Sequence, residues 1–176
     1  MRRRELLTFT AALATAGLMG TPLAWAGADA DARLLDEIER RAFRFFWEQA
    51  DPHTGQVKDR ARSSGTDTYT ASSIAATGFG LTALCIAHQR GYAARDSLRE
   101  RVATTPRFIA HELPHEHGFF YHFVDMRDGR RMWKCELSTI DTAILLCGVL
   151  TCRRHFAGDV EITALATQIY ERVEWP

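Results

Sequence analysis

Apolar residues recur at helical spacing over five stretches of the chain, and the width of the apolar face alternates from one stretch to the next. From about Asp31 to Gln49, Leu34, Leu35, Ile38, Ala42, Phe45 and Phe46 share one stripe with charges opposite, which predicts a half-buried helix ending at Asp51-Pro52. The second stretch, about Thr70 to Gln89, has almost no polar face: Ile74, Ala75, Ala76, Phe79, Leu81, Ala83, Leu84, Ile86 and Ala87 surround it. Gly78 and Gly80 lower its helix propensity but permit close packing, and Gly91 supplies a stop. The third, about Arg95 to Glu112, is amphipathic again, with Leu98, Val102, Phe108 and Ile109 inward and Pro106 predicting a kink or an early break. The fourth, Thr139 to His155, is apolar all round. The fifth, Val160 to Val173, returns to a single stripe of Ile162, Leu165, Ala166, Ile169 and Val173.

A helix that is apolar on every side must be surrounded by other protein. Half-buried helices alternating with fully buried ones predict two concentric rings, odd helices outside and even ones inside. A simple bundle or a solenoid would make each helix amphipathic in a similar way, and no 34-residue repeat is visible. Connection lengths add a second asymmetry. Inner-to-outer turns are short ("RGYAA", "FAGD"), whereas Ala50 to Tyr69 and Leu113 to Leu137 are long. Both long connections therefore open on one end of the helix stack, and loops of that length in a compact domain are usually functional. The second contains "GFFYHFVDMRDGRRMWK", two β-like runs around Asp128-Gly129 that predict a β-hairpin before the fourth helix.

Composition narrows the class. The 176 residues are 46% hydrophobic, with 22 basic and 22 acidic residues, so nothing points to a nucleic-acid partner. Residues 1–26 read as a signal peptide: Arg2, Arg3 and Arg4, an apolar run from Leu6 to Met19, then the small-x-small site Ala24-Trp25-Ala26. Arg3-Arg4-Glu5-Leu6-Leu7 resembles the twin-arginine motif, which predicts a periplasmic or secreted protein with no stable membrane span after processing. In an oxidising compartment Cys85, Cys135, Cys147 and Cys152 can pair, although Cys147 and Cys152, five apart on one helix, are poorly placed for each other. Buried free thiols are the simpler expectation. No zinc-type ligand spacing is read, and no metal or other cofactor is predicted.

The long connections hold His53, Lys58, Asp59, Arg60, Tyr69, His115, His117, Tyr121, His122, Asp125, Trp133 and Glu136, with Trp47 just before the first. Aromatic faces beside carboxylates and an arginine suit a sugar, whose apolar CH faces stack on rings while charged groups bracket its hydroxyls. Glycosidic cleavage needs two carboxyl groups flanking the bond. Each candidate also has a structural reading. Ser138-Thr139-Ile140-Asp141 fits a capping box, so Asp141 can serve the helix start alone. Glu136 lies before the cap and has no such explanation. Asp59-Arg60 can be a surface ion pair. In "HELPHEHG", Pro114 breaks the histidine geometry a metal would need.

The segments "FRFFWEQADPHTGQVKDR", "SSIAATGFGLTAL", "HGFFYHFVDMRDGRRMWKCELSTIDTAILLCGVL" and "YERVEW" resemble the bacterial glucoamylase-like family, which includes endo-β-1,2-glucanases. The resemblance implies an all-α (α/α)6 toroid, of which this chain would form about five of twelve helices, with no cofactor. It implies hydrolysis of a β-glucan, β-1,2-glucan in the first place, by paired carboxylates. It places Glu136 and Asp141 as catalytic residues and Trp47, Asp59, Arg60, Tyr121, His122 and Trp133 as substrate-binding residues. Lys134-Cys135 before the glutamate and Pro106 depart from the family pattern, and the chain stops at Trp175-Pro176 where members continue. Residues 27–176 are thus expected to be the N-terminal part of a barrel, inactive without its remaining half and a second carboxylate on a later inner helix. A non-catalytic carbohydrate-binding or scaffold protein and a helical interaction module are the competing readings.

Overall fold

Helices α1 (Pro22–Glu48), α2 (Ile74–Arg90), α3 (Arg95–His111), α4 (Thr139–His155) and α5 (Val160–Glu171) account for most of the computed structural model, which describes residues 22–64 and 68–175. The signal-peptide reading lies outside the described residues as far as Thr21, and Ala24-Trp25-Ala26 falls in the first turns of α1. Among the described residues, no helix is long and apolar enough to cross a membrane. The chain divides into two compact units at Glu39–Arg40. In the first, Leu34, Leu35 and Ile38 leave more than half their surface exposed, so the inward stripe expected of this helix is not buried there. An apolar stripe shows where burial would be favourable; it does not supply the covering surface.

The second unit holds the core. α2 packs directly on α4, α3 packs on α2 and α5, and α5 packs on α4, giving an inner pair and an outer pair. Gly78 lies against Leu145, Cys85 against Cys152 and His88 against His155, a constant stagger that makes the two inner helices parallel. Glycines permit this approach: a Cβ on Gly148 would lie 2.2 Å from the Gly78 carbonyl oxygen. The two layers read from the alternation are observed, and the all-α architecture agrees with the segment of a toroid that the resemblance implies. Burial of the inner helices is incomplete, however, since Phe79, Ile86 and Ile140 are exposed.

Local chemistry starts the helices where expected. Ser73, Ser138 and Asp159 accept the N–H groups of Ala76, Asp141 and Ile162 as N-caps of α2, α4 and α5. Two expectations are corrected. The helix predicted from Thr70 begins at Ile74, because Ala71–Ser73 forms strand β1. Pro106 does not end α3; the helix continues through it, at the loss of one backbone donor.

Strands β2 (His115–Glu116) and β3 (Phe119–Phe120) form a tight hairpin through His117-Gly118, both at positive φ, as a two-residue loop requires. Around Asp128-Gly129 the chain reverses more loosely, with one bridge between Val124 and Arg131. Strand β4 (Phe123–Asp125) pairs antiparallel with β1, so the two long connections are joined to each other. Thr70 donates its hydroxyl to Asp125 Oδ2 at 3.0 Å and accepts the Met126 N–H at its carbonyl.

Asp125 is the electrostatic anchor of this junction. Arg127 donates to both of its oxygens, Nε to Oδ1 at 2.9 Å and Nη2 to Oδ2 at 2.7 Å. That pairing, with the Arg127 N–H and the Thr70 hydroxyl, holds the carboxyl well below the usual carboxylate range despite its burial. A folded-state value below the unfolded one, about 3.9, gives a contribution present above that pH and lost as the pH falls through and beneath it. Asp125→Asn is expected to lower stability at neutral pH by roughly 1–3 kcal/mol and to flatten the acid limb of a melting-temperature profile. An unchanged acid limb would remove Asp125 from this role.

Candidate functional site

Residues 120–122 run antiparallel to residues 136–138. Ser138 N–H donates to the Phe120 carbonyl at 3.0 Å, His122 N–H donates to the Glu136 carbonyl at 3.1 Å, and Tyr121 bridges Leu137. This short ladder puts Glu136 beside His122. The buried Thr142 hydroxyl accepts the Phe120 N–H, fastening the segment to α4, and Ile74 N–H at the start of α2 donates to the His122 carbonyl. Both inner helices therefore begin at this site, with the positive ends of their dipoles toward its carboxylates.

Nδ1 of His122 lies 3.0 Å from Glu136 Oε1 and 3.7 Å from Asp141 Oδ2. Asp141 is part of the cap and also borders His122. Its N–H donates to Ser138 Oγ at 3.2 Å as a cap, while Ser138 donates back to Oδ2 at 2.5 Å and the carboxylate faces His122. The three donor atoms lie within 4.8 Å of one another, a set that a divalent cation would also accept. Here Glu136 is hydrogen-bonded to His122, and Asp141 to Ser138. Glu136 is exposed, and its own backbone N–H, followed by His122, holds its carboxyl below the usual value. It is ionised at neutral pH, fit to accept a proton and unfit to supply one.

A run of rings leads away from this cluster. His122 stacks on Phe123 with centroids 3.8 Å apart, Phe123 meets Trp133 edge-on at 5.3 Å, and Trp133 lies 6.4 Å from Tyr69. Arg60, Tyr69, Thr70, Met132 and Trp133 line a cleft of about 680 Å³. Arg60 pairs with Asp59 at 2.6 Å, and Tyr69 interacts with both; burial, then the Asp59 charge, raises its hydroxyl pKa. Trp133 is 61% exposed at the centre of a turn in which both it and Lys134 have positive φ. That backbone is unfavourable for a bulky residue. Arg131 holds it, donating Nε to the Cys135 carbonyl at 2.6 Å and Nη2 to the Lys134 carbonyl at 2.9 Å.

The structure thus gathers Glu136, Asp141 and His122 in one cluster, and Arg60 and Trp133 on one cleft, with Asp59 paired to Arg60. Trp47 stands elsewhere, packed on Phe43 and under the Arg101 guanidinium. Tyr121 adjoins the cluster, but its hydroxyl donates to Glu116 and its ring lies under Arg131. Phe123 and Met132, which connect cluster and cleft, are apolar and carried no chemical signal.

No protein-family model matches the chain. It is 26% identical over 154 residues to an exo-β-1,2-glucooligosaccharide sophorohydrolase of Parabacteroides distasonis, an alignment covering 82% of this chain and 21% of that protein. Among solved structures, a Bacteroides caccae protein provisionally named a glucoamylase superposes with a TM-score of 0.71 at 25% identity, over 81% of this chain and 36% of that one. An endo-β-1,2-glucanase from Chitinophaga pinensis, in complex with sophorotriose and glucose, has a TM-score of 0.71 at 24% identity, over 80% and 35%. The chain spans about a fifth of the curated relative and about a third of these solved chains. Relatives and structural neighbours are glucoamylase-like proteins, in agreement with the resemblance and with the all-α partial toroid.

Proposed function

We propose that this chain forms one wall of the substrate cleft of an exported glycoside hydrolase acting on β-glucan, with β-1,2-linked glucan as its substrate. The observation that carries the reading is the unbroken face from the His122–Glu136–Asp141 cluster through Phe123 to the Trp133–Tyr69 cleft. It sets a proton-accepting carboxylate beside rings able to stack on sugar. The β-1,2-glucan activities of the relative and of a structural neighbour support the linkage, and the arginine-led N-terminus supports export. In this reading Glu136 is the base, Asp141 positions His122 against it, and the proton donor lies on another part of the protein.

One observation favours a carbohydrate-binding role without cleavage. Oxygens of Glu136 and Asp141 lie within 4.8 Å of each other on one histidine ring, so the two carboxylates hold that ring between them instead of standing apart across a bond. The full-length protein incubated with β-1,2-, β-1,3- and β-1,4-glucans separates the readings. Reducing ends released from the β-1,2 polymer alone are the expected result. Binding without release would leave only the carbohydrate-binding reading, and neither binding nor release would remove both.

Trp133 offers a second check. Trp133→Gly suits the positive-φ turn and is expected to leave the unfolding free energy unchanged or raised by up to about 1 kcal/mol, read by denaturant titration. It removes the stacking ring, so glucan affinity should fall by roughly 0.5–1.5 kcal/mol. Equal affinity in the variant would detach Trp133 from the ligand.

A further inference from the structure

The two inner helices share a second contact, unrelated to the cleft. Cys85 Sγ on α2 and Cys152 Sγ on α4, 67 residues apart in sequence, lie 3.6 Å from each other in the core. The residues are 4% and 0% exposed. Their meeting follows from the stagger that also pairs Gly78 with Leu145 and His88 with His155. With no side chain between the helices at Gly78 and Gly148, the backbones approach closely enough for two short side chains to touch; both are free thiols in the structure, and a bond of about 2.05 Å requires their sulfurs to close further. The other two cysteines are placed differently. Cys135 Sγ is held by the backbone of Phe123, and Cys147 is exposed on α4.

We propose that Cys85 and Cys152 form a structural disulfide, closed as α2 docks on α4 during folding in an oxidising compartment. The oxidant is a disulfide-bearing oxidoreductase or a small-molecule disulfide. One cysteine thiolate attacks a sulfur of that disulfide and displaces the first thiolate, leaving a mixed disulfide. The second cysteine thiolate then attacks the protein sulfur and displaces the second. Two protein thiols become one disulfide, the oxidant's disulfide becomes two thiols, and the protons pass to solvent or to the departing thiolates. Once the helices are packed, both sulfurs are out of reach of any such partner. The neighbouring Cys85 sulfur and burial also hold the Cys152 thiol well above its usual pKa. The oxidation state reached during folding therefore persists in the folded protein.

The test uses the full-length protein, reduced and denatured, then refolded in a glutathione redox buffer and mapped by mass spectrometry without reductant. The expected product is one crosslinked pair of peptides containing Cys85 and Cys152, lighter by two hydrogens, with Cys135 and Cys147 free to alkylate. Adding reductant during unfolding should lower the melting temperature by on the order of 5–10 °C, an effect absent from the Cys85→Ala/Cys152→Ala double variant. If refolding yields little protein, material purified from an oxidising compartment is mapped in the same way. Cys85 and Cys152 alkylating freely after unfolding without reductant, or bonded to the other cysteines, would overturn the assignment. The refolding arm needs neither export nor glucan activity, so it stands or falls independently of both.

Discussion

Replacing Gly148 with alanine is expected to remove much of the protein's stability. The added Cβ would lie 2.2 Å from the Gly78 carbonyl oxygen and 2.8 Å from both Gly78 C and Gly78 Cα. These are backbone atoms of the other inner helix, so no side-chain rotation relieves the clash. α2 and α4 would have to move apart, loosening the contacts that bury Leu81, Leu145 and Val149. Overpacking of a tight core costs about 1–3 kcal/mol, occasionally more, and a backbone-on-backbone clash belongs at the upper end. Domains of this kind have only about 5–15 kcal/mol to lose. Gly158→Ala is the matched control: nothing lies within 4 Å of its added carbon, and its effect should stay within about 1 kcal/mol of zero. Urea midpoints of the two variants make the comparison. Equal midpoints would mean that α2 and α4 do not pack through their glycines.

Glu136→Gln is the second large effect, expected in rate and not in stability. The side chain is 66% exposed and precedes the Ser138 cap, so the fold has little to lose. Glutamine keeps the shape and an acceptor oxygen near His122 but cannot take a proton. If Glu136 is the base, kcat should fall by roughly 10²–10⁴ with the melting temperature and glucan affinity nearly unchanged. Asp141→Asn should behave differently: it weakens the bond that the Ser138 hydroxyl donates to the side chain at the start of α4, so stability and rate fall together. A Glu136→Gln protein that hydrolyses glucan normally would assign the chemistry to other residues.

Much of this was legible because it is local. α4 runs from Thr139 to His155 as its pattern indicates, since Ser138 and the apolar run after it specify a start and a buried body without help from elsewhere. The two layers were legible because full and partial apolar faces alternate. What escaped depends on partners distant in sequence. Thr70 to Ser73 reads as helix until β4 offers a strand to pair with. The proximity of His122 to both Glu136 and Asp141 comes from the Tyr121–Leu137 pairing and the cap of α4 together, which no spacing rule encodes. Trp133 was recognisable as an aromatic in a long loop, but its outward pose depends on two positive-φ residues held by Arg131. Trp47, in a family-like segment, packs on Phe43 and under Arg101, contacts that its own segment does not announce.

Thr70 and Asp125 are bonded across 55 residues, and α2 and α3 both lie between them. Closing so long a loop costs less entropy once the intervening helices have formed and folded back on each other, which favours that order. Tyr69 on one side of that junction and His122 on the other therefore come together late. A chain emerging from synthesis would have its helices well before it had a cleft. The same order, run backward, makes the cleft the region expected to open first when the native state fluctuates.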